Sequence, residues 1–176
     1  MTSTKNLEEI AQKKFYGPFP LSFAQERLWF LDQLEGGKST TYHMPMSYRF
    51  RGPLDVGALK DSFLTLIDRH ESLRTRIIDD EGSPLQIIDV NTEWALQYHD
   101  LTTCTTDEKG MQLKDIKSSF LECPFHLAEE SLIRTSLIKM DDEEYVLIVP
   151  LHHIVTDGWS MGILINELSL LYRAYL

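Results

Sequence analysis

Cysteine is scarce in this sequence. Cys104 and Cys123 are the only two in 176 residues, and their separation fits no metal-binding or redox motif. A fold stapled by disulfides is thereby disfavoured, and two reduced thiols fit a cytoplasmic protein. Basic residues are also few: 17 Lys and Arg stand against 27 Asp and Glu, a formal charge of −10. No Lys/Arg run exceeds two residues, so the basic footprint needed for nucleic acid or an anionic membrane is missing. Long apolar runs are absent too. No stretch approaches the ~18 residues of a membrane span, and the opening "MTSTKNLEEIAQKKF" has no apolar core of a signal peptide. Internal repeats, low-complexity segments and internal linkers do not occur.

What is present reads as one α/β unit, large enough for a sizeable core. Residues 1–19 form a polar leader that ends in the breaker cluster "YGPFP". Ser22 and Gln25 stand in a capping-box relation, and Phe23, Arg27, Leu28, Leu31 and Leu34 follow at helical spacing. In "HMPMSYRFR" Met44, Met46, Tyr48 and Phe50 alternate on one face of a strand. A second helix starts at Asp55, with Leu59, Phe63, Leu66, Ile67 and His70 along one side. The segments "LRTRII" and "LQIIDV" read as strands across the turn "DDEGSP", and Trp94, Leu96 and Tyr98 alternate in a further strand. A helix spans about 107–121. "LIRTSLIKM" and "EYVLIVPL" flank the acidic turn "DDEE". "SMGILINELSLLYRAYL" is a helix apolar nearly all round, which calls for burial on several sides. Strands and helices alternate without a strict βαβ rhythm, which predicts a mixed β-sheet flanked by helices.

The segment "LHHIVTDGWS", residues 151–160, concentrates the chemistry. Side chains alternate across a strand, so His152 and His153 diverge, one toward the interior and the other toward a crevice. Pro150 lacks a ladder donor and suggests a bulge or sheet edge just before them. Asp157 is a natural N-cap for the helix that follows. A strand end running into a helix N-terminus is a common ligand position in α/β folds. There the Gly158 N–H could face a developing oxyanion. A neutral imidazole near pH 7 can take or hold a proton from an amine or hydroxyl. A metal site is disfavoured, because adjacent strand histidines diverge and no third ligand follows at the usual spacing. Ser160 lacks the G-x-S-x-G context of a nucleophile and reads as a capping residue. His43, His99 and His126 stand alone.

Three ordered blocks carry a resemblance. "HHIVTDGWS" resembles the HHxxxDGxS signature of condensation domains from nonribosomal peptide synthetases. "SFAQERLWFLDQL" and "RHESLRTRI" resemble two further blocks of the same domains, and "YHMPMSYRFRGPLDVGALKDSF" resembles the segment between them. The wording is similar to the subtype that joins two L-residues, with a starter subtype as the alternative. The resemblance implies one lobe of a chloramphenicol acetyltransferase-like architecture over residues 20–176, the N-terminal lobe, with the C-terminal lobe outside this sequence. It also implies that an acceptor amine attacks a donor thioester, both substrates riding on 4′-phosphopantetheine arms of partner carrier domains.

By motif position, His153 faces the amine, as a base or by holding it. Gly158 contacts the thioester carbonyl and Ser160 is a weaker substrate contact. His152 and Asp157 serve the structure, with Arg74 as first choice and Arg69 as second choice for an ion pair with Asp157. Glu26, Arg27 and Trp29 hold the first helix to the floor of the site. The isolated lobe is expected to be nearly inactive and to self-associate through its open face. Two other functions stay open: a coenzyme-A-dependent acyltransferase with the same H-x-x-x-D-G logic, and a noncatalytic recruitment lobe.

Overall fold

The structure, a computed structural model, describes residues 17–90 and 93–176. Residues 1–16 of the expected leader lie outside this range. The leader's end is shorter than the sequence suggests, because Phe19–Pro20 already form a two-residue strand, β1, opposite Gln86 and Leu85.

Local signals set most of the helices. The first, α1 (Phe23–Leu34), starts at the Ser22–Gln25 capping box, in which each side chain meets the other residue's backbone N–H. Its burial differs from the sequence expectation. Phe23 is 91% and Leu34 67% exposed, whereas Leu28 and Trp29 pack inward. After β2 (His43–Arg51), Asp55 caps α2 (Val56–Arg69) by accepting the Ala58 N–H at 2.8 Å. The expected strand from Leu73 begins two residues late, because Glu71–Arg74 form a 3₁₀ turn. β3 (Thr75–Asp80) and β4 (Ser83–Ile88) follow, joined by Glu81 and Gly82, both at positive φ. Two positive φ angles in a two-residue loop match the right-handed twist of a hairpin, and glycine supplies one without strain.

β5 (Leu96–Asp100) leads to α3 (Thr106–Glu122), which has a second capping box between Thr105 and Glu108. The acidic hairpin joins β6 (Thr135–Asp141) to β7 (Glu144–His152), and α4 (Gly158–Tyr175) closes the chain. These elements make two sheets rather than one. A small antiparallel sheet has the order β1-β4-β3, and a mixed sheet has the order β2-β7-β6-β5, in which only β5 and β6 run parallel.

Strand alternation divides the core. Tyr145, Leu147, Val149 and Leu151 of β7 face α2 and α4, meeting Leu59, Phe63, Leu66 and Leu164. Val146 and Ile148 face the other way, onto Phe120 of α3. β2 contributes Met46, Tyr48 and Phe50 to the first layer, as its pattern predicts. Despite its composition, α4 is buried along one stripe only. Leu164 is buried and Met161, Leu168, Leu171 and Tyr172 pack partly, whereas Ile163, Leu170 and Tyr175 are exposed. Pro150 sits in the middle of the sheet, not at an edge or bulge. Its carbonyl accepts the Arg134 N–H at 3.1 Å, its β2 partner is Pro45, and the ladder forgoes only donors that prolines lack. None of the helices among the described residues is long and apolar enough to cross a membrane.

Candidate active site

β7 delivers the two histidines to the end of the mixed sheet, where strand alternation separates them. His152 is 2% exposed. Its Nδ1 accepts the Ile154 N–H at 3.1 Å, so the neutral ring carries its proton on Nε2. Burial, reinforced by the neighbouring His43 and His153, pushes its pKa down to about 4. His152 is therefore neutral at pH 7. His153 is exposed, and its backbone N–H is tied to the Tyr42 carbonyl at 2.8 Å. Its imidazole has no hydrogen-bond partner among the described residues. One ring is thus built into the fold, and the other is open to a substrate.

The chain then turns through Thr156 into α4. Asp157 is exposed and accepts the Ser160 N–H at 2.8 Å, while its own N–H donates to Ser160 Oγ at 3.0 Å. The Ser160 hydroxyl also donates to the Asp157 carboxylate. These bonds, the hydroxyl's first, hold the Asp157 carboxyl below the usual carboxylate range. This is a reciprocal helix cap, which leaves the Gly158 N–H without a partner among the described residues. A Cβ added at Gly158 would meet open space. Nothing in the fold itself therefore demands glycine at this position.

The expected ion pair between Asp157 and an arginine is not formed. Arg74 donates to the Asp89 carbonyl at 2.9 Å and lies 3.8 Å from Glu71. Arg69 pairs with Glu167 of α4 at 3.0 Å, and His70 meets the same carboxylate at 2.8 Å. The physical reason is position: a carboxylate at a solvent-facing helix N-terminus is satisfied by backbone N–H groups and needs no buried cation. Arg69 and His70 instead hold the end of α2 to the middle of α4. A cleft of about 90 Å³ opens beside the turn, with His70, Ser72, Thr156 and Ser160 among its lining. Glu26 and Arg27 are exposed and make no side-chain hydrogen bond or ion pair among the described residues, whereas Trp29 packs against the core.

Two residues of this site escape a reading of the sequence. Gln25, recognisable there only as a cap, also donates to the Ile154 carbonyl at 3.3 Å and so ties α1 to the motif turn. His43, a lone histidine in the sequence, is the ladder partner of His152, with ring centroids 6.2 Å apart. A signal for the second is available. "HMP" at 43–45 is matched in reverse by "PLH" at 150–152, the pattern of two antiparallel strands in register. Among the described residues, no group of three or more His, Cys, Asp or Glu is placed to hold a metal ion.

A buried neutral histidine, an exposed one next to it in the chain and a helix N-terminal N–H without a partner among the described residues share one strand-to-helix turn. Comparison with known proteins gives this arrangement a family. The Condensation domain family model matches residues 16–176, and the chain belongs to that family. Malpibaldin synthetase of Mortierella alpina is 43% identical over 159 residues, which is 90% of this chain and 3% of that protein. The bassianolide nonribosomal cyclodepsipeptide synthetase of Beauveria bassiana is 43% identical over 174 residues, covering 99% and 5% respectively. Among solved structures, the starter condensation domain of rhizomide synthetase superposes with a TM-score of 0.80 at 22% identity, covering 89% of this chain and 39% of that one. The first condensation domain of the calcium-dependent antibiotic synthetase gives 0.79 at 24%, covering 91% and 38%. These two likenesses show the shared fold. The chain spans a small fraction of the synthetases and under two fifths of the solved domains.

Proposed function

We propose that the chain is the N-terminal lobe of a condensation domain that forms peptide bonds in a nonribosomal peptide synthetase. The observation that carries this reading is the exposed His153 imidazole and the Gly158 N–H, unpartnered among the described residues, on the one turn between β7 and α4 of a chain of that family. Donor and acceptor substrates arrive as thioesters on 4′-phosphopantetheine arms of two carrier domains, and the C-terminal lobe closes the other side of the site. The acceptor amine adds to the donor carbonyl carbon, and the Gly158 N–H donates to the oxygen as it becomes negative. The C–S bond then breaks, the amide remains on the acceptor, and the amine proton passes by way of His153 to the departing sulfur. A cytoplasmic location suits a protein of this composition.

A lobe that lacks its partner cannot hold two substrates in register or exclude water, so this chain alone has little activity. The test therefore uses the complete domain with loaded carriers and follows the acceptor carrier by intact-protein mass spectrometry. The expected result is gain of the donor acyl group by the parent and at least a hundredfold slower gain by His153→Ala, the usual range for loss of a general acid–base group. Equal rates for both proteins would favour noncatalytic recruitment. Transfer from free acyl-coenzyme A without carriers would favour the acyltransferase reading.

A further inference from the structure

A cluster of side chains behind the motif touches no substrate in the proposed acyl transfer. His43, Phe125 and Arg134 meet under the end of β7. The Phe125 ring is 1% exposed and lies 4.9 Å from His43 and 6.1 Å from His152, centroid to centroid. The Arg134 guanidinium stands 4.1 Å over the same ring. It is held by Glu130, at 2.7 and 3.0 Å, and by the carbonyls of Cys123 and Pro124. Its charge is therefore fixed in place.

The protons on the two rings follow from their partners. His43 Nδ1 lies 3.1 Å from the Leu121 carbonyl, which can only accept, so the proton sits on Nδ1 and Nε2 is bare. That Nε2 is buried and has no partner among the described residues. His152 has the opposite tautomer, with Nδ1 accepting and the proton on Nε2. The charged and titratable groups around His43 are His152 on β7, with His153 next to it, and Arg134 and Glu130 ahead of β6. From α3 the Leu121 carbonyl faces it. Burial and then the Arg134 charge hold His43 below the ordinary histidine value, against the Leu121 bond and Glu130. A proton added to His43 can go only to Nε2, where it would find no acceptor and would face the fixed Arg134 cation. The ring must then move. Movement of His43 carries the adjacent Tyr42 carbonyl, which holds the His153 N–H at 2.8 Å.

We propose that His43 is a positioning residue for His153: unprotonated, it locks β2 against the end of β7 and fixes the turn that presents the His153 imidazole, and its protonation releases that turn. The role given to His153 rests on the function proposed above. The structural part of the proposal can be tested apart from it.

The experiment is a pH titration, from 7.5 to about 4, of the 176-residue chain by nitrogen-resolved NMR in a His153→Ala background, which removes the titration of His153 itself. The span covers the interval from the ordinary histidine value near 6.5 to the His152 value of about 4. The expected result is one shared midpoint for the backbone amides of residues 153 and 154. His43→Asn keeps a donor for Leu121 but does not titrate, and it should move that midpoint down by about half a pH unit or more. An unchanged midpoint, or no transition, overturns the proposal. Should the asparagine variant fail to fold, the ring nitrogens of the unsubstituted chain decide: a proton on His43 Nε2 instead of Nδ1 at pH 7.5 also overturns it. In the complete domain, His43→Ala should lower kcat about tenfold with little change in KM, the signature of a misplaced catalytic group. A parent domain that forms no amide sinks the proposed function, while the NMR result still decides the positioning role.

Discussion

At the scale of single residues, His152 shows how burial turns a titratable group into a structural one. Its pKa in the fold is about 4, against about 6.5 in an unfolded chain. Above pH 6.5 neither state holds the proton and the fold keeps the full contribution of the neutral ring. As pH falls from 6.5 towards 4, the unfolded chain binds a proton that the folded chain refuses, and up to about 3 kcal/mol of stability is lost. Urea unfolding of the parent and of His152→Gln across this range checks the sign. The parent's advantage should be largest at pH 7.5 and shrink towards pH 4, and a constant gap would show that burial of this ring is not what titrates. The divergence of the two histidines is legible in the sequence, because alternation along a strand is a local rule. Local rules do not reach the role of His43, since it meets His152 only through a tertiary pairing.

Helices and turns obey similar logic at the next scale. All of the caps are built from residues three positions apart, so they can be read directly, and Ser22, Asp55 and Asp157 occupy the places their spacing dictates. The Thr105–Glu108 box has the same form and is equally open to reading. Ion pairs are different. Arg74 and Arg69 are candidates for Asp157 because all three belong to the motif blocks, yet motif membership carries no distance, and both find other partners. The cap makes a milder demand than a buried pair. Asp157→Ala should lower the thermal midpoint by only about 2–4 °C, and Asp157→Asn, which keeps an accepting oxygen, by less. A fall several times larger in a calorimetric scan would indicate that Asp157 makes a buried ionic contact after all. Helical periodicity is informative for α2, which has a single apolar face. It misleads for α1 and α4, whose apolar residues surround the axis, so that period alone does not tell the core side from the outer side.

The whole molecule has more apolar groups than its two sheets can cover. Phe23 and Trp159 are 91% and 84% exposed, and Phe30, Leu34, Ile163 and Leu170 are also exposed. Exposed apolar residues that share a helix face join into an interaction surface, and Phe23, Phe30 and Leu34 recur on one face of α1. The 176-residue chain should therefore gain apparent mass with concentration in light scattering, and Phe30→Glu with Leu34→Glu should reduce that gain; a parent of constant monomer mass at high concentration would contradict this. The fold class is legible because alternating strands and helices imply a mixed sheet. The split into two sheets is not, since strand order depends on pairings between distant segments. The longest of these has a consequence for how the protein is made. β2 pairs along its whole length with β7, roughly a hundred residues later, and contacts so far apart in sequence form slowly. On the ribosome, β2 emerges and waits, its Met46, Tyr48 and Phe50 uncovered, until β7 has been synthesised. The strand that carries half of the His43–His152 pair is therefore open to misassembly for as long as β7 is missing, the interval in which a chaperone would serve it.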